Sequence, residues 1–292
     1  MPELPEVETV RRGLMPAMLG ARVDKVELRR ADIRFPFPAS FEDRLTGRRI
    51  VDINRRAKYL LFELDSSETL IAHLGMSGSF RIEKTAASTP GNFLRERSKD
   101  PKHDHVVLFL DNGCVVTYND PRRFGFMDLA VSGALSDHPR LNGLGAEPLA
   151  PEFDAAFLAK LFAGARTPLK TALLDQKRIA GLGNIYACEA LFRARLAPSR
   201  QASVLADARG APTRAAAAIA EAIRNVLEEA IEAGGSTLRD HRQANGEFGY
   251  FQHVFKVYDR EGLRCVRERC RGIIARVVHS GRSTFYCPTC QH

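Results

Sequence analysis

Ser132-Gly133-Ala134-Leu135-Ser136-Asp137-His138-Pro139-Arg140-Leu141-Asn142-Gly143-Leu144-Gly145-Ala146-Glu147-Pro148-Leu149-Ala150-Pro151 divides the chain. Its six Gly and Pro residues interrupt both helix and strand. Before this stretch the apolar residues come in short β-branched and aromatic runs; after it they recur at helical spacing. The change predicts an α+β chain whose two parts meet here. At 292 residues it is long enough for about two cores.

Working toward the N-terminus, Lys25–Leu28, Arg49–Ile53, Tyr59–Leu64, Leu70–Leu74, Val106–Leu110, Cys114–Tyr118 and Phe124–Val131 read as strands bounded by turns. Asp111-Asn112-Gly113 is a hairpin signal between two of them. Many short strands in one region predict a sandwich or a barrel-like pair of sheets. The polar stretch 84–102 reads as a loop. Ahead of the strands, Val7, Val10, Leu14 and Met18 mark one face of a helix over Glu3–Leu19, and Gly20 follows as a stop. Working toward the C-terminus, helices are expected at Phe153–Phe162, Lys170–Asp175, Asn184–Arg193 and Arg214–Ala233. In the last, Ile219, Ile223, Val226, Leu227 and Ile231 form the apolar stripe.

Net charge is +8 and the pI is near 9.4, which points to a polyanionic partner, nucleic acid first. No apolar run approaches the roughly 18 residues of a membrane span, and the N-terminus carries no hydrophobic signal region. An intracellular protein is expected. Four of the six cysteines form Cys265-x4-Cys270-x16-Cys287-x2-Cys290, two pairs that can close a tetrahedron of thiolates around zinc. Residues 239–292 hold ten Lys/Arg against five Asp/Glu, +5 before the metal and +3 with a tetrathiolate zinc. So short a segment has little core of its own, and metal should supply much of its folding energy.

The first six residues, Met1-Pro2-Glu3-Leu4-Pro5-Glu6, admit two readings. One is a proline-led helix start with acids favoured by the macrodipole. The other is chemical. Trimming of Met1 would leave a secondary amine, with a pKa of roughly 7.7–8.0 against about 10.4 for Lys, beside two carboxylates. Such an amine condenses with an aldehyde-level carbon to give a cationic iminium. Other signals are weak singly. Gly181-Leu182-Gly183-Asn184 opens a helix, either as a phosphate-binding turn or as a tight corner. Lys58, in Arg55-Arg56-Ala57-Lys58-Tyr59, reads alone as a surface charge, and Arg282 as the tip of a hairpin. Met76 in His73-Leu74-Gly75-Met76-Ser77-Gly78, and Arg122 and Phe124 in Asp120-Pro121-Arg122-Arg123-Phe124-Gly125, put wedge-like side chains on turns. In Lys102-His103-Asp104-His105 we favour a phosphate contact or a core histidine over a metal pair.

Taken in order, PELPEVETVRRGL, RRAKYLL, HLGMSGS, KHDH, DPRRFG, GLGNIYACEAL and GRSTFYCPTCQ resemble the bacterial formamidopyrimidine-DNA glycosylases, 8-oxoguanine glycosylases and abasic-site lyases, over nearly the whole chain. The resemblance implies an N-terminal β-sandwich with flanking helices at 1–135 and a linker at 136–150. A helix–two-turns–helix domain at 151–250 and a zinc-finger hairpin at 251–292 would follow. It implies Pro2 as the nucleophile at C1′, Glu3 as its acid–base partner, and Lys58 and Arg282 as the groups of β- and δ-elimination. Arg282, whose pKa exceeds about 12, is better read as a phosphate clamp than as a proton donor. Met76, Arg122 and Phe124 would fill the space left by the flipped base. His103, Arg122, Arg166, Lys170 and Asn184 would touch phosphates, and Cys265, Cys270, Cys287 and Cys290 would hold one structural zinc. Gly234–Tyr250 resembles the loop that closes over the everted base. Damaged duplex DNA is the implied partner, of a cytoplasmic, nucleoid-associated monomer. The rivals are endonuclease VIII, which typically begins PEGPE, and a DNA-binding module that has lost the chemistry. The first Cys pair departs from the common spacing of two, which leaves the shape of that turn open.

Overall fold

The computed structural model describes residues 2–84, 100–236 and 250–292. The chain divides into two compact units, Met1–Asn142 with Gly234–Tyr250, and Gly143–Ala233 with Phe251–His292. Among the described residues no helix is long and apolar enough to cross a membrane.

The first unit is built on two four-stranded antiparallel sheets. One has the order β1 (Val23–Leu28), β6 (Asp104–Leu110), β7 (Cys114–Asn119), β5 (Ser79–Lys84); the other has β2 (Ile50–Arg56), β3 (Tyr59–Leu64), β4 (Glu68–His73), β8 (Phe126–Val131). Alternate residues of both sheets enter one core: Leu60, Phe62 and Leu64 of β3, Leu70 and Ala72 of β4, Val106, Leu108 and Leu110 of β6. Helix α1 (Leu4–Met18) joins them with Val7, Val10, Leu14 and Met18, each fully buried, the face that the spacing predicts. A turn over Asp111–Gly113, with Gly113 at φ 77°, joins β6 to β7.

Four points of this unit differ from the sequence reading. Strand β5 was not expected: only Phe80 and Ile82 alternate with polar residues, and it is an edge strand paired with β7 alone. Lys84 ends that strand, and Pro101–His103 makes a short 3-10 turn, so both ends of the expected loop 84–102 are ordered; 85–99 lie outside the described residues. The strand expected from Phe124 begins at Phe126, because Asp120 takes the Gly125 N–H at 2.8 Å and Arg123 turns to φ 55°. The short helix α2 (Phe41–Leu45) also escaped the periodicity reading.

The second unit is helical: α3 (Ala155–Phe162), α4 (Leu169–Leu173), α5 (Asn184–Arg193) and α6 (Arg214–Glu232). Asp154 caps α3 through the Phe157 N–H at 2.7 Å, and Thr213 caps α6 through Ala216 at 3.3 Å. The predicted α6 stripe is buried. Between α4 and α5, the Gln176 amide holds the turns: its oxygen takes Gly181 N–H at 3.0 Å and its nitrogen gives to Leu182 O at 2.9 Å. The last two strands, β9 (Ala275–His279) and β10 (Arg282–Tyr286), form a hairpin closed by Ser280 and Gly281, at φ 49° and 75°.

Candidate active site

Pro2 and Glu3 are both buried at the start of α1. The Glu3 N–H donates to Glu6 Oε2 at 2.9 Å, so the first turn is closed by an acid that faces the chain end. Glu6 Oε1 accepts from the Ser236 N–H at 2.8 Å and the Ser236 hydroxyl at 2.9 Å. One carboxylate therefore ties Glu3 to Ser236. The remainder of the expected closing loop, 237–249, lies outside the described residues. A contact 230 residues away leaves no signal in the sequence, and the tie between Glu6 and Ser236 was not foreseen.

Lys58 is 7% exposed, against the surface charge it suggests alone. Ala57 and Lys58 form the two-residue turn between β2 and β3, with Ala57 at φ 53°. The Arg55 guanidinium gives to Ala57 O at 3.0 Å and to Glu8 of α1 at 3.3 Å, so the Lys58 turn is fixed to the helix that carries Pro2. Glu8 also takes Arg11 and Arg12; burial opposes its charge, but these arginines outweigh it and hold the carboxyl below its ordinary range.

Met76 and Phe124 are exposed, at 37% and 43%, on turns that meet. With Arg122, His73, Ile33 and Arg34 they line a cavity of 580 Å³. The Arg122 guanidinium lies 5.0 Å from the Phe124 ring centre. His73 stacks on Phe126 at 5.6 Å and accepts the Gly75 N–H at Nδ1, 3.0 Å, which leaves its proton on Nε2. Burial, then the charges of Lys58, Arg34 and Arg140, lower its pKa to about 4. The two histidines of the KHDH stretch separate: His103 is half-buried in the turn, while His105 is core and contacts Asp120 O through Nε2 at 2.9 Å.

In the second unit Arg166 and Arg282 are exposed. Lys170 has no exposed surface: its ammonium gives to Ser283 O at 3.0 Å and Thr284 Oγ1 at 2.7 Å. Asn184, the first residue of α5, gives its amide to the same Ser283 O at 3.0 Å. Both brace the hairpin next to Arg282. A cavity of 390 Å³ opens here, lined among others by Thr167, Lys170, Arg178, His279 and Arg282.

The sulfurs of Cys265, Cys270, Cys287 and Cys290 all lie within 4.8 Å of one another, with 3.9 Å from Cys265 to Cys290 and 3.7 Å from Cys270 to Cys287. Zinc–thiolate bonds of about 2.3 Å place tetrahedral sulfurs about 3.8 Å apart. A Cβ on Gly272 would stand 2.7 Å from Cys287 Sγ, so glycine is needed for this approach. Burial, then Cys287 and Cys265, push the Cys290 thiol up to about 12, so a bound cation is what lets it ionise beside its neighbours.

Residues 1–127, 144–242 and 262–292 match family models described as the formamidopyrimidine-DNA glycosylase N-terminal domain, the formamidopyrimidine-DNA glycosylase H2TH domain, and the zinc finger found in FPG and IleRS. A formamidopyrimidine-DNA glycosylase of Rhizobium meliloti is 59% identical over the whole of both chains. The chain belongs to the formamidopyrimidine-DNA glycosylase family.

Solved members of that family agree. The MutM (Fpg) protein from Thermus thermophilus superposes with a TM-score of 0.80 at 42% identity, covering 99% of this chain and 98% of that one. The Lactococcus lactis Fpg in complex with DNA containing an abasic site gives 0.83 at 31%, covering 99% of both. The family makes the chain a DNA glycosylase, a hydrolase, and its finger a zinc site. With four sulfur ligands the ion keeps no open position, so it serves the fold.

Proposed function

We propose that the chain excises oxidised purines from duplex DNA through an N-terminal proline Schiff base and then cuts the strand by β,δ-elimination. The observation that carries this reading is the buried start of α1, where Pro2, Glu3 and Glu6 stand together. Once Met1 is removed, the Pro2 nitrogen attacks C1′, the N-glycosidic bond breaks, and the base departs with a proton. Glu3 assists opening of the sugar by general acid–base transfer. The resulting iminium acidifies C2′, so that loss of that proton expels the 3′ phosphate. Lys58, held by its turn on the same unit, serves this step. Arg282, exposed at the hairpin tip, clamps the phosphate that leaves in the second elimination. Met76, Arg122 and Phe124 fill the gap left by the everted nucleotide. Arg122 and Arg166 are exposed and His103 is half-buried, which leaves all three accessible to phosphates; Lys170 and Asn184 act at the backbone through the hairpin they brace. Related Lactococcus lactis structures hold DNA containing Fapy-dG, which favours purine lesions here.

Borohydride trapping on a duplex with 8-oxoguanine opposite cytosine tests the mechanism. The processed protein should yield a covalent adduct. Protein that retains Met1 or carries an N-terminal acetyl group should bind the duplex and yield none. An adduct of undiminished amount from blocked protein would overturn the assignment of Pro2.

A further inference from the structure

The two turns that carry Met76 and Phe124 are held by one buried acid that the chemistry above does not use. Asp120 has no exposed surface. Its Oδ1 accepts a short hydrogen bond from the Ser77 hydroxyl, in the Met76 turn. Its Oδ2 accepts the Gly125 N–H at 2.8 Å and the Tyr118 hydroxyl at 3.4 Å, on the Phe124 side. Ser77 Oγ in turn accepts the Arg122 N–H at 3.2 Å, so donors from each turn reach across to the other. The Asp120 carbonyl takes the Arg123 N–H at 3.2 Å, where Arg123 is at φ 55°. The backbones are as close as glycine permits: a Cβ on Gly75 would stand 2.3 Å from the Phe124 carbonyl carbon, and one on Gly125 only 1.8 Å from the Tyr118 hydroxyl.

A buried carboxylate is tolerated only when its hydrogen bonds are made. Here they are made by both turns at once, so neither can shift without stripping a donor from the acid. We propose that Asp120 is a positioning residue that locks the Met76 and Arg122–Phe124 turns into one rigid reader of the displaced base pair. It rests on the base-displacing reading of those side chains. The lock serves base eversion and discrimination of the opposite base. It does not serve the chemistry at Pro2, which a pre-formed abasic site reaches without excision of a base.

The test compares D120N and S77A with the native full-length, zinc-loaded protein. An Asn amide offers one acceptor oxygen in place of two, so either the Gly125 and Tyr118 side loses its acceptor or the Ser77 hydroxyl does; S77A removes only the bridge. Single-turnover excision of 8-oxoguanine opposite cytosine should fall about ten-fold, the scale of one lost charge-assisted hydrogen bond. Preference for cytosine over adenine opposite the lesion should fall with it, while cleavage and trapping at a pre-formed abasic site persist. A general loss of folding would lower all these together, and S77A keeps the question open to test if D120N folds poorly. M76A and F124A run alongside. If they leave eversion and discrimination unchanged, the base-displacing reading fails. If they impair both but D120N or S77A, folded, impairs neither, the lock alone is overturned.

Discussion

Single residues here do more than their type suggests, because burial changes their task. Lys170 and Asn184 read as phosphate contacts in the sequence, and in the fold both also donate to the Ser283 carbonyl. A fully buried ammonium demands such partners, and the hairpin beside Arg282 supplies them. His73 is a sharper case. Its imidazole is held neutral by burial and by Lys58, Arg34 and Arg140, with a pKa of about 4 against an ordinary 6.5. The folded state therefore binds this proton later than the unfolded chain does. Its contribution to stability is complete above the unfolded value and is lost as pH falls from there toward 4. Acid unfolding should steepen over that window by at most about 1.4 kcal/mol per pH unit. His73→Gln, which keeps an acceptor and cannot titrate, should flatten the urea-midpoint profile between those limits. Parallel profiles for the two proteins would sink the argument. At neutral pH His73 offers the cavity beside Met76 a donor without adding a charge.

At the scale of elements, legibility follows the range of the forces. Helix α1 and helix α6 were readable because their buried faces repeat at 3.6 residues, and β3 and β4 because their runs are apolar and bounded. Strand β5, the delayed start of β8 and the Gln176 clamp were not, since each depends on partners elsewhere. The long spacing of the first Cys pair belongs to this second class. Between Cys265 and Cys270, Arg267 leaves the knuckle and donates to Phe192 O at 2.6 Å, in the last turn of α5, with its guanidinium 4.7 Å from the Phe192 ring centre. The added residues thus give the finger a charged second donor to the last turn of the helix it packs on, beside the Arg195 N–H that Phe192 O already takes at 3.1 Å. Arg267→Ala should lower the urea stability of the zinc-loaded protein by about 1–3 kcal/mol, the scale of one lost hydrogen bond from a charged donor, since Phe192 O keeps the Arg195 N–H at 3.1 Å. Arg267→Lys should recover only part, because an ammonium cannot both stack and bond from that position. Native stability in Arg267→Ala with zinc retained would show that the longer knuckle does not anchor the finger.

On the scale of the molecule, the order of motifs revealed the family, but the joining of distant groups came only with the fold. Glu6 with Ser236, and Asp120 with Ser77, are links that no local pattern encodes. The cysteines are the exception, since their spacing alone announces a tetrahedral site. They also bear the most weight. The small core around the finger has seven buried members, Cys188, Phe192, Val257, Cys265, Ile274, Phe285 and Cys287, and two of them are metal ligands. Removing the ion leaves the four sulfurs without the charge that holds them together, and burial with the neighbouring Cys287 and Cys265 keeps the Cys290 thiol protonated. Chelation should then expose the amides of Ala275–Tyr286 to hydrogen exchange, while those of β3 and β4, packed in the separate core of the first unit, stay protected. Charge and shape make opposite forecasts for DNA. With zinc and four thiolates residues 239–292 carry +3; with four protonated thiols and no metal they carry +5. If charge alone governed binding, the metal-free protein would hold duplex at least as tightly, with a steeper salt dependence. If the hairpin must be folded to present Arg282, affinity should fall despite the added charge, and the salt slope should become shallower as phosphate contacts are lost. Titration of metal-free and zinc-restored protein on one duplex at several salt concentrations separates the two, and we expect the fall.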